Sequence, residues 1–235
     1  MAGDICLDIG CGSGIITSAL APLFRRTVGV EYAKPTVRMA REHWGSLVQF
    51  MLADGLHLPF AGDSIDIIIC AQVYEHVSSA AELFAEINRV LKPGGLVFFS
   101  GPNWLYPIEL HYFLPFLHWL PRPLAGRYVA LFRGPGTRYE PATPFTSWKL
   151  KLLLECFNIS DVTLEVLRFN LEQRRGRVAQ LLRLVPMICW KPALPIFPNF
   201  NWLLYKPLNP HQRHGYQIVM PQAGVARRAD VSAFH

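Results

Sequence analysis

The sequence predicts an α/β fold: a doubly wound, mostly parallel seven-stranded sheet carrying an aromatic cap or insertion toward its C-terminal half. Three observations lead there. The first hundred residues alternate short continuous apolar runs with amphipathic stretches of helical period, a glycine-rich turn joins the first run to the first helix, and beyond residue 100 the alternation gives way to aromatic, proline-rich sequence. Strands buried on both faces read as unbroken apolar runs, and intervening helices are how parallel strands are connected.

Taken in order, residues 5–9, 27–31, 48–53, 65–70 and 96–100 read as strands, and residues 15–24, 34–44 and 80–91 as helices. Pro35 suits a first helical turn, and Lys92-Pro93-Gly94-Gly95 stops the third helix and turns into the fifth strand. Residues 147–156 regain helical periodicity, 162–169 read as a strand, and 174–185 form a basic amphipathic segment. Residues 200–205 and 216–220 compete for the last strand, and the first is preferred. The expected division is therefore a core over 1–100, a cap over 101–144, completion of the sheet over 145–221 and a frayed tail over 222–235.

A chain of 235 residues can bury one substantial core. With 51% apolar and 17% charged residues it is globular, with some greasy surface. The net charge of +6 is unevenly placed: residues 1–100 hold 7 Lys and Arg against 10 Asp and Glu, whereas residues 101–235 hold 16 against 7. A basic, aromatic second half suits an anionic substrate, nucleic acid or an anionic membrane face, and ordinary solubilising charge explains it equally well. Cys6, Cys11, Cys70, Cys156 and Cys189 lack the close pairs of zinc or redox motifs and read as small core residues in a reducing cytoplasm. No charged leader is visible, and charges and prolines break the apolar stretches 104–124 and 181–205. The expectation is a cytoplasmic protein, peripheral at a membrane at most.

The strongest local signal is Leu7-Asp8-Ile9-Gly10-Cys11-Gly12-Ser13-Gly14, between the first strand and the first helix. Its glycines allow a sharp turn and close approach to a ligand, and free amides at the helix start are expected to favour an anionic group. A dinucleotide-binding turn would want a third glycine at position 15, which is Ile15.

On these residues the chain resembles the class I S-adenosylmethionine-dependent methyltransferases, in the broad group that includes ubiquinone and menaquinone biosynthesis enzymes. The resemblance covers roughly residues 4–100, with a weaker echo at 144–169. It implies a Rossmann-like core with S-adenosylmethionine as cofactor, held at the turn by Asp8, Gly10, Cys11, Gly12 and Gly14. Glu31, ending the second strand, would accept the ribose hydroxyls, and its plainer reading is a solvated strand-end charge. Asp54 would accept the adenine amino group, with Gly55 and Leu56 beside the ring, or else simply serve its turn. Tyr32 would pack on the adenine or on its neighbours, and the backbone of Gln72 would line the methionine end. Pro59-Phe60, Ser64-Ile65-Asp66 and residues 91–95 match the family's spacing as architecture.

Methyl transfer needs donor and acceptor in line, water excluded and, for some acceptors, a proton removed. Candidate bases lie in Gln72-Val73-Tyr74-Glu75-His76: His76, with its pKa near neutrality, and Tyr74 beside it. A Glu-His pair here can equally just order the loop. Some relatives of this kind hold a metal through Glu-x-x-Glu-His, but Gln72 replaces the first Glu, so no metal is expected. The aromatics of the cap, Trp104 to Trp119, either wall a pocket or membrane contact, which suggests a small hydrophobic or lipid-linked acceptor methylated on oxygen or carbon, or simply form core. His111 and His118 read as structural. The chain begins almost at its first strand, without the helices that usually precede it and help close the site, so the expectation is either a fragment or a C-terminal cap that does their work.

Two other readings remain. A protein or nucleic-acid methyltransferase fits the basic half, but the acceptor motifs of amino-directed DNA enzymes and of arginine enzymes are missing, so no nucleic-acid partner is expected. A non-catalytic cofactor-binding or peripheral membrane module fits the basic segment at 174–185.

Overall fold

The computed structural model describes residues 4–137, 139–140 and 142–208. Along the chain the elements are β1 (Ile5–Ile9), α1 (Ile15–Leu20), β2 (Arg26–Glu31), α2 (Lys34–Trp44), β3 (Gln49–Leu52), β4 (Ile65–Ala71), α3 (Ala80–Val90) and β5 (Leu91–Pro102). There follow the hairpin of β6 (Ile108–Glu109) and β7 (Leu114–Pro115), α4 (Arg122–Arg133), α5 (Ser147–Leu153) and β8 (Asn158–Asp161). The described chain ends with α6 (Thr163–Gln173), α7 (Arg177–Arg183), a 3-10 stretch (Met187–Ile196) and β9 (Asn199–Tyr205).

Seven strands form one sheet in the order β3-β2-β1-β4-β5-β9-β8. The first five pair in parallel, while β9 runs antiparallel between β5 and β8. The order reverses between β1 and β4, which opens a crevice at their C-terminal ends, where α/β sheets bind ligands. Local chemistry sets the helices around it. Pro22 cannot donate to a continuing helix, so the expected helix at 15–24 is α1 followed by a 3-10 turn, Ala21–Leu23. The Ser79 side chain caps α3 by accepting from the Glu82 amide, and its Leu83, Phe84, Ile87 and Val90 turn inward at helical spacing. Residues 92–95 are accommodated as an irregularity at the start of β5, because Ile65 pairs with Leu91 but Ile67 with Leu96.

The core is apolar on both sides of the sheet, with Phe84, Phe99 and Trp202 in successive ring contact at 5.5 and 5.9 Å. Above β5 the cap builds a small core of its own from Leu114, Leu117, Ala125 and Val129. Asn103 ties that cap to the last strand: its amide side chain donates to the carbonyls of Pro195 and Phe197, and its backbone N–H to that of Pro198.

Two expectations change. Residues 162–169 are not a strand but most of α6. The Asp161 carboxylate accepts from the Thr163 amide and turns the chain out of β8, and the Arg168–Glu172 pair bridges one helical turn. The strand is the short, mostly exposed β8 just before it, on the sheet edge. Cys156 and Cys189 are exposed rather than core residues, unlike Cys6, Cys11 and Cys70. The preferred last strand at 200–205 falls within β9, whereas 216–220 and the tail at 222–235 lie outside the described residues.

Candidate active site

A cavity of about 510 Å³ lies over the C-terminal ends of β1, β2 and β4. Of the residues singled out from the sequence, Gly10, Glu31, Tyr32, Asp54, Gly55, Leu56, Gln72 and His76 line it. No Lys or Arg does. Its fixed charges are therefore the carboxylates of Glu31 and Asp54, which suits hydroxyl, amino or cationic groups and offers no counter-ion to a phosphate.

The glycine turn serves this cavity differently from expectation. The amides of Gly10 and Cys11 both donate to the Val30 carbonyl at 2.8 and 3.0 Å, that of Gly14 to the Cys11 carbonyl at 2.9 Å, and that of Gly12 to Glu31 Oε2 at 3.1 Å. With these donors engaged, the turn is not an open nest for an anionic group, and α1 is only six residues long. What the glycines provide is space. A Cβ on Gly10 would lie 2.6 Å from Val73 Cγ2, and one on Gly14 would lie 2.6 Å from Phe50 Cζ, with φ positive at both (68° and 81°).

Five candidates fall outside the lining of the cavity. Asp8 is buried behind it, accepting from the Thr17 hydroxyl at 2.6 Å; burial pushes its carboxyl up to about 6, against the Thr17 bond and with help from the Glu31 charge. Gly12 and Gly14 shape the turn without lining the cavity. The Cys11 thiol turns away from the cavity and packs with Val37, Ala40, Val48 and Phe50. Tyr74 is likewise corrected: its ring is in the core, its hydroxyl donates to the Pro102 carbonyl and accepts from the Phe145 amide at 3.0 Å, and burial pushes its pKa up. It anchors the start of the cap and cannot reach an acceptor.

Glu31 is fixed at both ends, Oε2 by Gly12 and Oε1 by the Ala33 amide at 2.9 Å. Asp54 Oδ1 accepts from the Leu56 amide at 2.9 Å, which holds Gly55 and Leu56 around the cavity edge. Tyr32 stands at the rim with its ring exposed. Gln72 adopts a left-handed backbone (φ 58°) with its amide bonded to the Ser100 carbonyl at 2.8 Å, an arrangement that costs about 1 kcal/mol or more and aims the following loop over the cavity.

That loop meets the cap in a cluster of titratable groups. His76 lines the cavity with half its side chain exposed, and its Nε2 lies 3.8 Å from Glu75 Oε1. The ring of His111, from the cap, stands edge-on to it at 5.1 Å and is held through Nδ1 by Glu109 Oε1 at 2.6 Å. Burial, then the nearby His111, lowers the pKa of His76, while Glu109 raises that of His111. Glu75 is fully buried with no hydrogen bond to either carboxyl oxygen, and burial pushes it up to about 7. His118 bonds the Trp104 carbonyl and is structural. Among the described residues, no three His, Cys, Asp or Glu side chains cluster so as to hold a metal ion.

Sequence reasoning missed Thr17, the partner of Asp8, and the apolar wall of Val73 and Val77. It also missed the Glu109–His111 pair, because a contact between the cap and the loop after β4 spans some 35 residues without a local pattern.

Residues 7–99 match the model of the methyltransferase domain family. An uncharacterized methyltransferase of Mycobacterium leprae is 42% identical over 113 residues, which is 46% of this chain and 41% of that protein. Another, of Mycobacterium marinum, is 40% identical over 112 residues, 47% and 44% of the two. The chain thus spans less than half the length of these curated relatives. Among solved structures, an S-adenosylmethionine-dependent methyltransferase of Methanosarcina mazei superposes with a TM-score of 0.57 at 20% identity, covering 89% of this chain and 95% of that one. The [4+2]-cyclase SpnF reaches 0.55 at 18%, covering 88% and 77%. A phosphoethanolamine N-methyltransferase of Haemonchus contortus, in complex with phosphoethanolamine and S-adenosylhomocysteine, reaches 0.58 at 13%, covering 89% and 40%. Residues 7–99, with their glycine turn, strand-end acids and switch-point cavity, match the methyltransferase domain family, on a fold shared with solved S-adenosylmethionine-dependent methyltransferases.

Proposed function

We propose that the chain binds S-adenosylmethionine in this cavity and transfers a methyl group to a small hydrophobic or lipid-linked acceptor, on oxygen or carbon. The observation that carries the reading is the pair of carboxylates, Glu31 and Asp54, set into a cavity of ligand size that, among the described residues, no Lys or Arg lines. Glu31 accepts the two ribose hydroxyls, Asp54 takes the adenine amino group, and the bare Gly10 backbone permits close approach. When bound, the cofactor supplies an activated methyl group on a sulfonium, so that the chain's own residues have only to orient, shield and deprotonate.

Val73 and Val77 give the cavity its apolar wall. His76, kept neutral by burial and by the His111 beside it, accepts the proton of a hydroxyl acceptor. The half-exposed Trp104, Phe116 and Trp119 of the cap favour an apolar acceptor. A phosphorylated acceptor, such as the phosphoethanolamine bound to the Haemonchus contortus enzyme, would need cations, and among the described residues none lines this cavity. Because the same fold also houses a cyclase, the chemistry rests on the site and not on the fold.

Incubation of the full chain with methyl-labelled cofactor and lipid extracts should place label in a solvent-extractable product. His76→Gln should lower that rate by roughly 10²–10⁴ with cofactor affinity unchanged, and the acidic limb of the parent's rate profile should lie below pH 6.5. Full activity of the variant would remove His76 as base, and label found only in water-soluble products would remove the apolar acceptor.

A further inference from the structure

The segment from α6 through the 3-10 stretch does not behave like an ordinary solvated surface. Residues 168–196 contain six cations, Arg168, Arg174, Arg175, Arg177, Arg183 and Lys191, against one acid, Glu172. Interleaved with them are aliphatic side chains turned outward: Val178 is 70% exposed, Leu181 64%, Leu184 77% and Ile188 63%. Scattered exposed leucines are common, but four within eleven residues beside a concentration of arginines are not.

The segment is nevertheless firmly built. Arg183 is committed to structure, donating to the carbonyls of Leu171, Glu172 and Arg174 and so folding α7 back along the end of α6. Ala179 and Leu171 are buried between them. Arg174, Arg175 and Arg177 are exposed. No helix among the described residues is long and apolar enough to cross a bilayer. Short amphipathic helices with arginines beside apolar side chains instead lie in the headgroup layer, apolar groups down and cations against anionic lipid.

We infer that residues 168–196 form a membrane-surface anchor, with an anionic lipid bilayer as the occupant that its charge and exposed aliphatics fit. Position gives this anchor a use. The 3-10 stretch ends at Pro195 and Phe197, the carbonyls that Asn103 grips at the C-terminal end of β5, where the cap begins. Anchoring there brings the start of the cap to the lipid in which an apolar acceptor would reside. The anchor itself stands without the proposed chemistry.

The test is sedimentation of the full chain with vesicles of phosphatidylcholine containing 30% phosphatidylglycerol, against phosphatidylcholine alone. Binding is expected only to the anionic vesicles and should fall steeply between about 0.05 and 0.5 M salt. Each exposed arginine is worth roughly a factor of five in partitioning, so Arg174→Gln, Arg175→Gln and Arg177→Gln together should weaken binding on the order of a hundredfold. Leu181→Ser with Leu184→Ser should weaken it at least about tenfold by removing inserted apolar area. All variants should bind S-adenosylmethionine as the parent does, since none of these residues lines the cavity, which also separates this test from that of the enzymatic reading. Absence of binding by the parent would overturn the anchor whatever the variants do. So would equal binding to neutral vesicles, or variants that bind as the parent does, which would leave the aliphatics as a contact for another protein.

Discussion

Glu31→Ala is expected to weaken S-adenosylmethionine binding by about two orders of magnitude or more, in calorimetric titration of the full chain. The effect has two sources. The ionised carboxylate is the natural acceptor for the ribose hydroxyls, and hydrogen bonds to a charged group contribute roughly 1.5–3 kcal/mol each. The same carboxylate also accepts from the amides of Gly12 and Ala33, so its loss frees the turn that forms the cavity floor. Glu31→Gln keeps an acceptor for one of these amides and should fall between the parent and alanine. Because the residue sits at a half-buried strand end, the melting temperature should move by only a few degrees. If both variants bound within threefold of the parent, Glu31 would be no part of a cofactor site.

The second large effect concerns stability against pH. Glu75 is a buried carboxyl with no hydrogen bond, raised from 4.5 to about 7 in the folded chain. A raised acid favours folding in its neutral form, so its contribution is fully present below about 4.5 and is lost as pH rises through about 7. Above that the buried charge is carried at a cost of up to roughly 3 kcal/mol, lessened by the neighbouring His111. Asp8 acts in the same sense with a window ending near 6. Glu109 and Glu86, whose pKa values are lowered, act in the opposite one, so the single substitution is what isolates Glu75. Glu75→Gln should raise the melting temperature by roughly 4–8 °C at pH 8 and leave it almost unchanged at pH 5. An equal gain at both, or none at pH 8, would mean that Glu75 does not titrate as its burial implies.

Legibility followed how local each interaction is. The parallel half of the sheet could be read because buried strands write themselves as apolar runs, and because Gly10, Glu31 and Asp54 each end or follow such a run. Strand 162–169 was misread because Val162, Leu164 and Val166 alternate like a strand, and only the Asp161 turn and the Arg168–Glu172 pair tip the chain into a helix. The bonds that tie up the turn's own amides, from Gly10 and Cys11 to the Val30 carbonyl and from Gly12 to the Glu31 carboxylate, reach it from another strand, so no local pattern announces them. Tyr74 adjoins His76 in sequence but points into the core, a difference that the loop after Gln72 sets and that no residue type announces. The meeting of Glu75, His76, His111 and Glu109 depends wholly on how the cap folds back over β4.

On the proposed function the cavity takes S-adenosylmethionine and not a dinucleotide. Titration calorimetry of both ligands into the full chain tests it most directly. One equivalent of S-adenosylmethionine should bind in the micromolar to submillimolar range, on the order usual for enzyme ligands, with no heat from NAD at about millimolar concentration, since the amides of Gly10, Cys11, Gly12 and Gly14 are already bonded within the fold and, among the described residues, no Lys or Arg lines the cavity to meet its pyrophosphate. No binding of S-adenosylmethionine, or binding of NAD of equal strength, would contradict the account.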